Sequence, residues 1–468
     1  MTHSRDLLQE TVPLKSRIWV SVADAACAML NTFIVSIGLT YYFTSYRGMD
    51  PSLAAVVWLM FGIWNAVNDP LFGYISDRTK TKLGRRIPYI RYGAPLIGLT
   101  FVLSWVNLGG EQASQSVMFI QMLVLLFLFD SLYTAIATSI YVMPFEMAIS
   151  NKARGSIMIW KLIFAVFPLA VPLVLWGFIR PEPGTSSSGF QWIMLWLEVL
   201  LTELIFVSTY YYKEKHFQQE EGQLPFLQSL KACFTNRSFI VFEVISFTVI
   251  YVQTSLMLGL NYYLGEFDLP ALPLYGALGF GIIVGVILFI NVRDRWGIKK
   301  ATMFMAGVFS LGCFLMLGLG RQLVPALIGF FSFGIGFAGG MYLIPLMNGD
   351  VVDMDEHRTG LRREGMYAGV NSFITKPAIS LANSAFIWFL SMNNFDFAGL
   401  AGTQSEQAKT GILLGWVLIP AILLGISFLS LVFYPLAGEA WDKIKCDLAI
   451  GHAEKERNLL ESKGIRYE

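Results

Sequence analysis

The chain reads as an all-α membrane protein with twelve transmembrane helices in two pseudo-symmetric six-helix bundles. Three observations carry that reading. Of its 468 residues 55% are hydrophobic and only 14% charged, with a mean hydropathy of +0.57, whereas a water-soluble globular chain is about a quarter charged. Apolar runs of about 20 residues, each enough to cross ~30 Å of hydrocarbon, recur along the whole length. The most polar long connection, 213–237, falls between the sixth and seventh runs and divides the chain into halves.

Bounded by charged and turn residues, the runs lie at 18–44, 52–75, 88–109, 116–142, 157–179, 190–212, 238–263, 272–292, 301–320, 323–349, 365–392 and 410–436. The first is long enough to tilt. The tenth, FFSFGIGFAGGMYLIPLMNGD, carries five glycines and a proline, which permits close helix approach and local bending. The first 16 residues are polar, with no apolar core and no small-residue cleavage site, so no cleaved signal peptide is expected. The tail after 436 is polar and compatible with a cytoplasmic helix without chemistry. The expected division is 1–212 for the first bundle, 213–237 for a cytoplasmic connection, 238–436 for the second bundle and 437–468 for the tail.

Basic residues set the orientation. Lys and Arg crowd the even-numbered connections, whereas the odd-numbered ones hold only Arg47, Arg180, Arg321 and Lys409. The positive-inside rule then places both termini and the even-numbered loops in the cytoplasm of a multi-pass cell-membrane protein. The connection after span two, SDRTKTKLGRR, is echoed after span eight by VRDRWGIKK: each has Asp-Arg, then Gly, then a basic pair. Such an echo is the mark of a parallel-repeat transporter. Cys27 and Cys313 lie in apolar runs, Cys233 and Cys446 in polar ones, with no disulfide or metal spacing.

Charges inside hydrocarbon cost about 2.5–3.5 kcal/mol even on permissive scales, so each one is a functional hypothesis. Asp69 leads them. It precedes Asp77 by eight residues, roughly 12 Å of helix, and Asn65 shares its face one turn earlier with Asn68 beside it. One carboxylate and two amide carbonyls form a hard oxygen set for Na⁺, or for a proton on the carboxylate. Lys376, twelve residues after Glu364, lies roughly 18 Å into span eleven, too deep for easy snorkelling. It calls for an anionic partner, either a carboxylate of the bundle or the substrate. Lys161 beside Trp160 is either a cation on an aromatic platform facing a cavity or a lysine snorkelling to the interface. Asp24, Asp130 and Tyr342 complete the expected cavity set; Glu198, Glu203 and Glu243 are weaker candidates.

Two blocks resemble a known family. NDPLFGYISDRTKTKLGRR (68–86) and DVVDMDEHRTGLRREGMYAGVNSFITK (350–376) are similar to signatures of the glycoside–pentoside–hexuronide:cation symporters, the melibiose-carrier branch of the major facilitator superfamily. The resemblance implies the major facilitator fold. It also implies a cation site at Asp69 and Asn68, with Asn65 standing where the melibiose carrier has a second acid, a loss that leaves Na⁺ and H⁺ both open. Lys376 matches a span-eleven lysine close to substrate and cation, Lys161 falls near a span-five arginine that contacts sugar, and Asp24 resembles an early acid of span one. The superfamily's loop motif is present as Gly73, Asp77, Arg78, Gly84, Arg85 and Arg86, expected to gate against the start of span eleven near Arg362 and Arg363. Span four departs from the pattern: YTAIATSIYVMPFEM places Ala137 and Thr138 where the family has a polar anchor.

The expected function is a Na⁺- or H⁺-coupled symporter moving a sugar, glycoside or sugar acid by alternating access. The alternative is a carrier of a lysolipid or other anionic amphiphile. The implied partners are a small-molecule substrate and the bilayer, with no nucleic acid, no cofactor, no metal beyond Na⁺, and a monomeric state. An intramembrane enzyme is disfavoured: all four histidines (His3, His216, His357, His452) fall outside the spans, and neither HExxH nor Gly-x-Ser-x-Gly occurs.

Overall fold

The computed structural model describes residues 11–110, 113–181, 184–214, 225–396 and 402–462. His3, His216, residues 215–224 of the expected 213–237 connection and the last residues of the tail lie outside them. Among the described residues ten helices are long and apolar enough to cross a bilayer, from Leu14–Tyr46 to Glu406–Val432. One of these, Ala271–Leu319, has 49 residues, twice what a bilayer needs. It breaks at Gly297 (φ 78°) and so supplies spans eight and nine. The helix Ile87–Ser104, which carries Arg91 and two prolines, supplies span three. With these two the twelve spans appear in the expected order, and the fold is all-α.

The chain packs as two compact units. The first holds the chain up to Phe226 together with Gly360–Val370 and the tail from Cys446; the second holds Leu227–Thr359 and Asn371–Lys445. By packing, therefore, the start of span eleven goes with the first unit and the rest of it with the second.

Within the first unit, Phe33, Phe101, Trp105, Phe129 and Ile140 are buried in one apolar cluster. Span one widens into π-helical turns at Thr32–Gly38 and Tyr42–Tyr46. Gly38 is needed there, because a methyl group on it would lie 2.7 Å from the Trp105 ring. Within the second unit, spans eight and ten cross on glycine: a methyl at Gly281 would lie 2.2 Å from the Phe331 carbonyl oxygen, and one at Gly334 2.2 Å from that of Leu278. The glycines of span ten thus serve close backbone contact, as small residues do between membrane helices.

The echoed loops share a device. Gly84 (φ 116°) and Gly297 (φ 78°) both adopt left-handed backbone, which a side chain would disfavour. Each loop also ties to the end of its unit's last span, with opposite polarity. Glu214, just after span six, accepts the backbone N–H groups of Arg85, Arg86 and Ile87 at 2.6, 2.8 and 2.7 Å. Lys299 donates to the carbonyls of Val432 and Tyr434, both at 2.8 Å, after span twelve. The tail forms the helix Glu439–Ser462. It is less inert than expected: the buried Lys445 ammonium pairs with Asp350 and lies 3.7 Å from Asp353, both at the end of span ten.

Candidate functional site

Span two (Pro51–Arg78) and span four (Gln115–Met147) build the acidic cluster. Asp69 (4% exposed) and Asp130 (4%) both lie buried there. Thr134, one turn after Asp130 and so on the same face, donates its hydroxyl to Asp69 Oδ1 at 3.0 Å. Asn68 Nδ2 donates to Asp130 Oδ2 at 3.1 Å and to Thr134 Oγ1 at 3.0 Å. One amide and one hydroxyl therefore join two carboxylates across the helix pair. Two expectations change. Asp130 belongs with Asp69 rather than with a separate sugar cavity. Asn68 turns its amide nitrogen, not its carbonyl, into the cluster, because carboxylate and hydroxyl oxygens facing it need a donor. Asn65 is half-buried one turn earlier. Among the described residues no group of three His, Cys, Asp or Glu is placed to hold a metal ion; this cluster instead offers two carboxylates and a hydroxyl.

Asp24 of span one and Lys161 of span five form a 3.3 Å ion pair, with Lys161 mostly buried and Asp24 40% exposed. Trp160 is half-buried beside Lys161, its ring 6.4 Å from that of Phe164. Tyr342 is a correction: it is fully buried, its hydroxyl accepts from Arg293 Nη1, and the Arg293 guanidinium lies 5.5 Å from its ring. A ring so enclosed braces the end of span eight and lines no cavity. Lys376 is half-buried, ahead of Pro377 in the part of the Glu364–Met392 helix that packs with the second unit. Of the weaker acids, Glu198 accepts from Thr202 at 3.0 Å, Glu203 is exposed, and Glu243 is buried, with the Asn371 amide 3.2 Å away once that amide is turned to donate.

The loop motif builds a charge network inside the first unit. Asp77 accepts the N–H groups of Gly365 (3.0 Å) and Met366 (2.8 Å), the first turn of span eleven, and pairs with Arg86. A helix start offers such free amides and a positive dipole end. Arg85 bridges Glu146 (2.9 Å) and Glu364 (3.0 Å). Arg362 pairs with Glu364 and donates to the Phe145 carbonyl at 2.8 Å. Burial opposes the charge of Arg85, yet the carboxylates of Glu146, Glu364, Asp77 and Glu214 outweigh it and raise its pKa further. Gly73 permits the approach: a methyl there would lie 2.1 Å from the Gly365 carbonyl oxygen. Arg78 instead stacks on Tyr74, 4.3 Å from the ring centroid. Arg363 is buried in the same segment.

Thr134, Glu146, Glu214 and Glu364 are functional candidates that the sequence reading did not single out. Glu146 and Glu364 lie inside helices whose ends only the structure locates. Glu214 follows the last apolar residues of span six and looks like an ordinary loop acid.

Buried acids and a lysine–acid pair within the spans are the organisation of a carrier. The comparisons agree. Residues 20–438 match the family described as MFS/sugar transport protein. The isoprimeverose transporter of Lactiplantibacillus pentosus is 25% identical over 95% of this chain and 93% of its own. The putative glycoside/cation symporter YagG of Escherichia coli (strain K12) is 24% identical over 90% and 92%. The sodium-dependent lysophosphatidylcholine symporter 1 of Mus musculus is 22% identical over 86% and 82%. Among solved structures, the major facilitator superfamily transporter FucP in its outward conformation superposes with a TM-score of 0.63 at 12% identity, over 91% of this chain and 99% of that one. The chain belongs to the MFS/sugar transport protein family, and it is a multi-pass secondary transporter.

Proposed function

We propose that this transporter is a cation-coupled symporter of a sugar, glycoside or sugar acid, driven by Na⁺ or H⁺ and working by alternating access. The observation that carries the proposal is the Thr134 hydroxyl, donated to Asp69 while it accepts from the Asn68 amide that also holds Asp130. Two carboxylates joined in this way repel one another, and a bound cation or proton relieves that repulsion. A carrier whose half-loaded form is the high-energy one moves substrate and ion together. The printed names of the isoprimeverose and glycoside/cation relatives support a sugar-like substrate and a coupling ion. Asp24, Lys161 and Trp160 are the proposed substrate contacts of the first unit, a carboxylate and an ammonium that exchange their mutual pairing for sugar hydroxyls or a sugar carboxylate; Lys376 is a proposed contact of the second unit, considered by itself. The Asp77–Arg85–Arg86 network is the proposed gate on the basic face, with both chain ends on the cytoplasmic side of the cell membrane.

A second reading, an anionic lysolipid substrate, draws on the mouse relative and on Ala137 and Thr138 standing where a sugar anchor is expected. Thermal stability of the purified protein against glycosides, uronic acids and lysolipids, with and without Na⁺ at two pH values, separates the two. The sugar reading requires an ion-dependent shift with a sugar or sugar acid that disappears in Asp69→Asn. A shift with lysolipid alone, lost in Lys376→Ala, establishes the second reading in its place.

A further inference from the structure

Arg91 is an intramembrane cation that the transport scheme leaves unused. It lies one turn into span three, and it lines a cavity of about 280 Å³ between the starts of span three and the end of span six, shared with Lys82, Thr209, Tyr210, Lys213 and Glu214. Its guanidinium is held in place: Nε donates to Thr209 Oγ1 at 2.8 Å, Nη2 donates to the Thr209 carbonyl at 3.1 Å, and the Tyr210 ring centroid is 4.2 Å away. Those bonds engage two of the five N–H donors of a guanidinium. Among the described residues, no carboxylate pairs with Arg91, Lys82 or Lys213. Among the described residues the acid in the cavity wall is Glu214, which already accepts three backbone N–H groups at the start of span three. The cavity is thus a positively charged recess with a fixed guanidinium in its wall.

Its position points to the bilayer as the source of the anion. Tyr92 and Tyr210, 61% and 60% exposed, flank it, the placement of aromatic side chains at headgroup level. Further along the same two helices Leu96, Leu99, Val199 and Leu200 are exposed, a surface for acyl chains to cover. Basic recesses between membrane helices on the positive side take the phosphates of anionic lipids.

We propose that Lys82, Arg91 and Lys213 bind the phosphodiester headgroup of an anionic phospholipid at the junction of spans three and six. The site is independent of the transported substrate. A lipid bound there ties span three to span six beside the Glu214 bonds that fix Arg85 and Arg86.

The test uses the full-length protein in nanodiscs of phosphatidylcholine alone or with added phosphatidylglycerol, and in detergent with inorganic phosphate. Phosphatidylglycerol is expected to raise the melting midpoint of the native chain by roughly 3–5 °C. The double variant Lys82→Gln/Lys213→Gln, which leaves Arg91 and its bonds in place, is expected to lose most of that rise, and Arg91→Gln all of it. A control with two exposed lysines that do not line the cavity changed, Lys152→Gln/Lys231→Gln, is expected to keep it. An equal rise in every variant, or none in the native chain, overturns the site. The same rise with inorganic phosphate in detergent overturns the lipid assignment in favour of a free anion.

Discussion

The Thr134 hydroxyl donates to Asp69 and accepts from the Asn68 amide that holds Asp130, so the smallest useful change at the acidic cluster is Thr134→Val, which keeps the shape and removes the bond. A buried hydrogen bond to a charged group contributes about 1.5–3 kcal/mol. If that energy is expressed in ion binding, half-saturation for the coupling ion should rise at least tenfold in Thr134→Val, read from uptake against ion concentration, with the fold intact by melting. Tyr342→Phe behaves differently. It removes one partner of Arg293 and should lower stability by about 1–3 kcal/mol while leaving substrate half-saturation unchanged, because that ring is enclosed. A large change in half-saturation without loss of stability would return Tyr342 to the cavity. Asp69 was legible in the sequence because a carboxylate inside an apolar run has few innocent explanations. Thr134 was not, since a threonine in a membrane helix commonly bonds its own preceding carbonyl, as Thr32 does to Ala28 at 2.9 Å. Tyr342 was expected in the cavity, but a tyrosine within an apolar span looks the same in sequence whether its ring is packed or lines a cavity.

At the level of elements, the loop after span two acts through partners far along the chain. Arg85 meets Glu146 and Glu364 across 61 and 279 residues of sequence. The basic motif itself stood out in the sequence; its acidic partners did not, because pairing in space leaves no spacing to read. Arg85→Gln takes one cation from two fully buried carboxylates, leaving Glu146 to Arg86 and Glu364 to Arg362, and breaking a buried pair from one side costs about 3–5 kcal/mol. The variant should melt well below the native protein. The double change Arg85→Gln/Glu364→Gln should recover part of that loss, and a loss that simply adds would mean the two do not act together. Gly73→Leu tests the close contact directly. A side chain there meets the Gly365 carbonyl, so the variant should separate span two from the first turn of span eleven. Faster alkylation of a cysteine introduced at Ser76, which is buried now, would report it, and an unchanged rate would refute it.

For the molecule as a whole, twelve spans and their order were legible because bilayer thickness fixes the length of an apolar run more rigidly than a soluble core fixes anything. Even the fused Ala271–Leu319 helix was divided correctly, since a basic Gly-containing stretch interrupts its hydropathy. What hydropathy could not show is that Gly360–Val370 packs with the first unit, or that Lys445 in the tail helix is buried against Asp350. Buried charge networks decide both, and charges near span ends look alike in sequence whether solvated or paired. The central claim, that the buried acids couple an ion to substrate movement, is tested most directly in proteoliposomes. Accumulation of a substrate found by the ligand panel is measured under an imposed Na⁺ or pH gradient, for the native chain and for Asp69→Asn, alongside exchange of labelled for unlabelled substrate without a gradient. The account predicts that Asp69→Asn abolishes gradient-driven accumulation and retains exchange. Accumulation by Asp69→Asn equal to that of the native chain would contradict it.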